Sequence, residues 1–486
     1  MVQQKMSTFE RLRNGQRLNR QQRREVRQQL QAADPRLQIV HADAAGIDVG
    51  SGSHFVAVPA GRDEHPVQEF GSWTADVQRM AAWLKSCGIR TVAMQSTGVY
   101  WIAVQEILEQ AGMEVYLVNA RGTKNLPGRK SDVQECQWLM KLHTYGLLRN
   151  SFRPPEGVRA VRTIWRHRQS LVGDAGRAIQ QMQKALTTMN IQLSNALSDV
   201  SGVTGLAIIR SILKGQRDPW KLAQLRNPRV RASEEEIAHS LEGHWREEVV
   251  FELGQVVEGY DFYQKQIGEC DRQLEKYLVA LPDARKGQVI AAEAATPGPD
   301  RKKRRKSKLR SQPEQKDQPH FNLRGELHRL MGVDLTRIDG IDVMTAQVIY
   351  SELGPELRAF PDEGAFSSWL ELTPRQDITG GRVIRQKSRE SKNRVANALR
   401  MAAQALFRSD SYLGARYRRY RARMEGKVAV KVMAHYLACL VYRMLTKGEE
   451  YVDRGAAYFE QKRSQREIVG LTRKAAQLGM KLVPIG

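Results

Sequence analysis

The chain has 486 residues, 77 of them Lys or Arg against 53 Asp or Glu, giving a formal net charge of +24 and an isoelectric point near 10.0. That balance implies a polyanionic partner, nucleic acid first, and no apolar run reaches the roughly 20 residues of a membrane-spanning helix. Cys87, Cys136, Cys270 and Cys439 are widely separated, with no C-x-x-C spacing, which points away from a zinc site or disulfide framework and fits a reducing cytosol.

Residues 1–43 form a basic arm. Arg11, Arg13, Arg17, Arg20, Arg23, Arg24 and Arg27 stand among Gln and Leu, as a solubilising tail or as a segment that follows a phosphate backbone. The apolar core of a signal peptide is missing from this stretch.

From residue 44 to 150 short apolar runs take over. Strands are predicted at Ala45–Val49, His54–Val58 and Gln68–Trp73, then a helix at Ala75–Ser86 with Val77, Met80, Ala81 and Leu84 on one face. A strand at Arg90–Met94, a helix at Trp101–Ala111, a strand at Glu114–Val118 and a helix at Asp132–Leu142 follow. Hairpin strands followed by strands alternating with helices predict an α/β domain with a mixed sheet, in the order of a ribonuclease-H-like (RuvC-like) domain. Asp48 lies inside the first strand, Gln95 ends the fourth, and Asp132 and Glu135 share one face of a helix start. Oxygens converging on one sheet edge suit Mg²⁺. The plainer reading is a helix N-terminal Asp favoured by the macrodipole and an unrelated strand Asp. A carboxylate in an apolar strand nevertheless needs a reason, because unpaired it costs several kcal/mol, on the order of 5.

Residues 151–290 read as a helical connector of coiled-coil character. An Arg-rich helix at Val158–Leu171 holds Trp165, a second helix spans Ala175–Leu197, and a third spans Glu247–Leu281. Such helices pair between subunits or fold back as an intramolecular hairpin. Residues 291–320, with Pro297, Pro299, Pro313, Pro319 and the nearly all-basic Arg301–Arg310, read as a disordered linker that contacts nucleic acid.

Residues 321–450 are predicted to be mainly α. Ile338-Asp339-Gly340-Ile341-Asp342 suggests a helix–hairpin–helix turn, with a helix at Thr345–Leu353 capped by Gly354. Helices follow at Asn393–Phe407, Tyr412–Arg423 and Val428–Leu445. In the second, Arg416 to Arg421 alternate cationic and aromatic residues as nucleic-acid surfaces do. Residues 451–486 form a polar helical tail.

Within this last domain lies Pro374-Arg375-Gln376-Asp377-Ile378-Thr379-Gly380-Gly381. Arg382, Arg385, Lys387, Arg389, Lys392 and Arg394 follow it closely. A hydroxyl on a Gly-flanked turn, with cations on the next segment, is what chemistry on a phosphodiester needs. The bland reading is a surface turn with a solvated charged face.

Six motifs in order carry a resemblance: Gly46-Ile47-Asp48, Ser96-Thr97-Gly98-Val99-Tyr100-Trp101, Lys130-Ser131-Asp132, Ile338-Asp339-Gly340-Ile341, Pro374-Arg375-Gln376 and Gly380-Gly381. From about residue 44 to 450 the chain resembles insertion-sequence transposases of the IS-one-ten and IS-one-eleven-eleven type, serine recombinases guided by a bridge RNA. The resemblance implies a RuvC-like domain whose four acidic residues bind Mg²⁺; these positions fall on Asp48, Gln95, Asp132 and Glu135. It also implies a nucleophile at Thr379, with Ser388 and Ser391 as nearby alternatives. Gln95 stands for a Glu, Glu135 for an Asp and Thr379 for a Ser, so the site has three carboxylates. The β-methyl of Thr379 restricts its χ1 angle.

The expected function is insertion-sequence excision and integration by hydroxyl attack on DNA, with Mg²⁺ and a bridge RNA, in a homodimer or homotetramer in the bacterial cytosol. Arg382, Arg385, Lys387, Arg389, Lys392 and Arg394 would contact phosphates. Two rivals remain. A water-driven RuvC-like nuclease would leave free 5′-phosphate ends and no adduct; a catalytically weakened RNA-guided DNA-binding protein would bind without cleaving.

Overall fold

The computed structural model describes residues 8–9, 20–31, 37–95, 98–119, 131–284, 317–379, 382–387, 391–448, 455–481 and 483. The chain divides into two compact units, 1–153 and 154–486. The basic run at 301–310 and most of the 291–320 linker lie outside the described residues.

In the first unit, β1 (Ala44–Val49), β2 (Ser53–Ala57) and β3 (Val67–Gly71) precede helix α1 (Thr74–Ser86). Strand β4 (Thr91–Gln95), helix α2 (Trp101–Gln110), strand β5 (Glu114–Val118) and helix α3 (Asp132–Thr144) follow, and a separate basic helix, Arg20–Gln31, precedes β1. The sheet order is β3-β2-β1-β4-β5, with β1 to β3 antiparallel and β1, β4 and β5 parallel. This mixed sheet with interspersed helices is the ribonuclease-H-like architecture expected from the sequence. Alternation along the strands sorts the residues to two faces. Ala45, Ile47, Val92, Met94, Val115 and Leu117 join Val77, Met80 and Leu84 of α1 and Leu108 of α2 in one core. Gly46 and Asp48 therefore face the other side, which α3 covers.

In the second unit, helix α4 (Glu156–Thr188) packs along helix α5 (Glu247–Ala280). The two run antiparallel: Arg168 of α4 meets Asp271 of α5, and Gly157 at the start of α4 lies against Leu281, just beyond the end of α5. Four short helices between them close the far end over a core that includes Met182, Leu186, Ile208, Ile209, Leu222, Ile237 and Leu253. Where two helices were expected at Val158–Leu171 and Ala175–Leu197, α4 runs through Gly173 without a break. The apolar face packed on α5 continues across that point and outweighs the weak local helix preference of Gly.

Helix α6 (Leu323–Met331) ends at Gly332, which has positive φ, and α7 (Val343–Leu353) starts at an Asp342 cap. Helix α8 (Glu363–Trp369) leads into strands β6 (Arg375–Thr379) and β7 (Arg382–Lys387), followed by α9 (Arg394–Ala405), α10 (Tyr412–Arg423), α11 (Gly426–Lys447) and α12 (Gly455–Gln477). Contrary to the sequence expectation, α11 is long and apolar enough to cross a membrane by length and composition alone. Lys427, Lys431 and Arg443 interrupt the run. The helix buries Met433, Leu437, Ala438 and Val441 while packing on α8, α9 and α10, and Arg443 forks onto Glu363 of α8 at 2.7 and 2.8 Å.

Candidate active site: an acidic sheet edge and a threonine hairpin

Gly46 explains how the acidic residues come together. A Cβ on it would lie 2.3 Å from both the Cys136 carbonyl oxygen and the Met140 amide nitrogen. Only glycine lets the α3 backbone lie directly on β1. The Ser131 hydroxyl accepts from the Gln134 N–H and fixes the start of α3, with Asp132 and Glu135 in its first turn, where the helix dipole favours carboxylates. Parallel pairing of Ile47 with Met94 then sets Asp48 beside Gln95 at the carboxyl ends of two central strands.

Of the four positions expected from the sequence, Gln95 and Glu135 are in direct contact, Asp48 is set beside Gln95 by the strand register, and Asp132 lies in the first turn of α3. Gln95 is buried and its amide N–H donates to the Glu135 carboxylate. Beneath them, the fully buried Cys136 thiol is pushed up to about 12, first by burial, with the Asp48 and Asp132 carboxylates adding to it. One thiol thus feels both aspartates. All four cysteines are buried and free.

Among the described residues no three His, Cys, Asp or Glu stand close enough together to hold a metal ion. The residue types are those Mg²⁺ takes, because Asp48, Asp132 and Glu135 offer hard carboxylate oxygens, but as placed they do not form a three-ligand site. The Gln95 amide N–H is turned toward Glu135, so that carboxylate is held by a hydrogen bond.

The second cluster is a β-hairpin. Arg375 pairs with Lys387 and Thr379 with Arg382, with an irregular step between Asp377 and Ile378. The sequence had shown a turn; the structure adds the two strands that lead to and from it. Thr379 ends β6, and Arg382, Arg385 and Lys387 lie on β7. Gly380, Gly381, Ser388 and Arg389 lie outside the described residues. Ser391 is buried, donates its hydroxyl to the Leu370 carbonyl at 3.1 Å and accepts from the Asn393 N–H. It anchors the root of the hairpin and is poorly placed for attack. Lys392 is exposed, and Arg394 opens α9 with its guanidinium 3.9 Å from Glu352.

The alternating run at Arg416 to Arg421 does not make one cationic face. On a helix Tyr417 and Tyr420, three apart, lie toward one face, and the arginines fall around the rest of the axis. Tyr417 is buried, Arg416 stacks 3.8 Å over Tyr436, Arg418 donates to the Phe407 and Ser409 carbonyls, and Arg419 pairs with Glu467. These cations hold α10 against its neighbours. At the predicted helix–hairpin–helix turn, Gly340 has φ +88°, and a Cβ there would lie 2.6 Å from the Ala402 carbonyl. The Asp342 carboxylate accepts from the Thr345 N–H and so occupies the N-terminus of α7.

Two family models match the chain. A DEDD-type transposase model of IS110 covers residues 45–191, which include the whole acidic edge. A model described as transposase IS116/IS110/IS902 family covers residues 334–418, which include the hairpin. The chain carries both domains of the IS110/IS116/IS902 transposase family. No curated protein matches it. As a transposase it acts on DNA, and its two matched regions hold the two clusters described above.

Proposed function

We propose that this transposase moves an insertion sequence by attack of the Thr379 hydroxyl on a DNA phosphodiester. The attack forms a covalent protein–DNA ester and displaces a 3′-hydroxyl, and another strand's 3′-hydroxyl later resolves the ester. The observation that supports this reading is the Gln95–Glu135 hydrogen bond where α3 packs on β1, beside the Asp48 end of that strand, in a transposase that also carries a threonine at the end of β6.

Asp48, Asp132 and Glu135 would hold Mg²⁺, with Gln95 steering Glu135 by its hydrogen bond. When bound, the ion supplies charge stabilisation for the non-bridging phosphate oxygens. Thr379 supplies the nucleophile. Arg382, Arg385 and Lys387 on the adjoining strand, with Arg389 and Lys392 beyond it, hold phosphates. Sequence choice falls to a bridge RNA through base pairing, while the protein reads backbone shape.

The test is a donor-end DNA incubated with protein, co-purified RNA and Mg²⁺, then run under denaturing conditions. Wild type and Thr379→Ser should trap a covalent adduct, whereas Thr379→Ala and Asp48→Ala should lower it by at least about a hundredfold, the scale of losing a nucleophile or a charge-stabilising group. An undiminished adduct with Thr379→Ala would remove Thr379 from the reaction.

A further inference from the structure

Three arginines converge on one buried carboxylate at the root of the hairpin. Glu352, with 8% of its side chain exposed, lies in the last turn of α7. Arg166 of α4 forks onto it, Nε to Oε1 and Nη2 to Oε2, both at 2.8 Å. That fork already engages both oxygens. Arg162, one turn earlier on α4, comes to 3.0 Å from Oε2, and Arg394 at the start of α9 lies 3.9 Å from Oε1. Among the described residues no other carboxylate pairs with any of the three.

A clip between the connector helix and the C-terminal domain needs one arginine. The second and third add like charges around a half-buried point, where repulsion is weakly screened. The effect shows at Arg162: burial lowers its pKa, Glu352 opposes this, and Arg166 and Arg394 lower it further. Three guanidiniums against one carboxylate leave two positive charges without an offset. Their side chains keep 30%, 38% and 50% of their surface exposed for Arg162, Arg166 and Arg394. Guanidinium N–H groups match phosphate oxygens in geometry and charge. The location is also apt, because β7 ends at Lys387, Ser391 ties the chain to Leu370, and Arg394 begins α9.

We infer that Arg162, Arg166 and Arg394, fixed by Glu352, form a binding site for the phosphodiester backbone of DNA leading to the Thr379 hairpin. The connector helix α4 is then part of the DNA-binding surface as well as a structural arm. The inference rests on the strand-transfer reading only for the identity of its ligand.

The experiment measures binding of full-length protein to a short fluorescein-labelled DNA duplex of arbitrary sequence, by anisotropy across a salt series. Each arginine that neutralises a phosphate contributes about 0.9 to the slope of log K against log salt. Arg394→Gln and Arg166→Gln should each make the slope shallower by about that amount and weaken binding severalfold at fixed salt. A merely structural role does not move the salt slope. Arg166→Gln could unfold the protein; Arg394→Gln, half exposed and loosely paired, carries the test in that case. Unchanged slopes in folded variants would overturn the inference, as would a loss seen with an RNA duplex of the same sequence and absent with DNA. The strand-transfer reading fails separately: wild-type protein that shows the salt slopes but never forms an adduct sinks that reading and leaves this one standing.

Discussion

Gly46 needs to be bare, and its substitution separates packing from chemistry. Gly46→Ala drives a methyl into the Cys136 carbonyl and the Met140 amide of α3. Overpacking of this kind costs about 1–3 kcal/mol. The variant should lower the urea midpoint and also lose the adduct, because α3 carries Asp132 and Glu135. Asp48→Asn should lose the adduct with much less change in the midpoint. At the other end of α3, His143 is buried, its Nε2 shares a hydrogen bond with Thr91 Oγ1 at 2.8 Å, and it stacks on His41. Burial first, and His41 second, push its pKa down from 6.5 to about 3. Between these values the unfolded chain binds the extra proton. Stability therefore holds above pH 6.5 and falls as pH drops toward 3, by at most about 1.4 kcal/mol per pH unit from this group. His143→Gln should flatten that part of a pH series of urea unfolding curves; an unchanged slope would place the titration elsewhere. At this scale the placement of Asp48 inside β1 was legible because a carboxylate in an apolar strand is conspicuous. The orientation of Gln95 toward Glu135 was not, since a sequence does not say which end of an amide faces a neighbour.

The connector hairpin is pinned by a buried ion pair. Arg168 of α4 meets Asp271 of α5, with Nη2 3.3 Å from Oδ2, and its guanidinium lies 5.5 Å from the Trp165 ring centre. Both charged side chains are almost wholly buried. Removing one partner of such a pair leaves an uncompensated charge and costs about 3–5 kcal/mol. Asp271→Asn should therefore destabilise the protein strongly, while Arg168→Met with Asp271→Leu should recover most of the loss in chemical unfolding. If the double variant is as unstable as the single, the pair contributes more than charge balance. Elements were legible where periodicity and stop signals agreed: Glu114–Val118 and Tyr412–Arg423 coincide with the predicted spans. They were less legible where a tertiary partner decided. Helix α4 passes Gly173 because α5 holds it on the far side, and β6 and β7 were hidden because cations outnumber the apolar residues Ile378, Val383 and Ile384.

At the scale of the molecule, the net charge of +24 foreshadowed a polyanionic partner, and the six ordered motifs foreshadowed the family. All six lie inside the two matched regions. Charge alone did not show where the cations do their work. Arg416, Arg418 and Arg419 of α10 are used internally, whereas Arg162 and Arg166 sit on a helix that had looked like a spacer. The central claim is that the hydroxyl of Thr379 carries the transferred strand. Its most direct measurement is peptide mapping by mass spectrometry of the trapped protein–DNA adduct after nuclease digestion. A nucleotide remnant on the peptide containing Thr379, in ester linkage to that side chain, is the predicted result. A remnant on any other residue, Ser388 included, would contradict it.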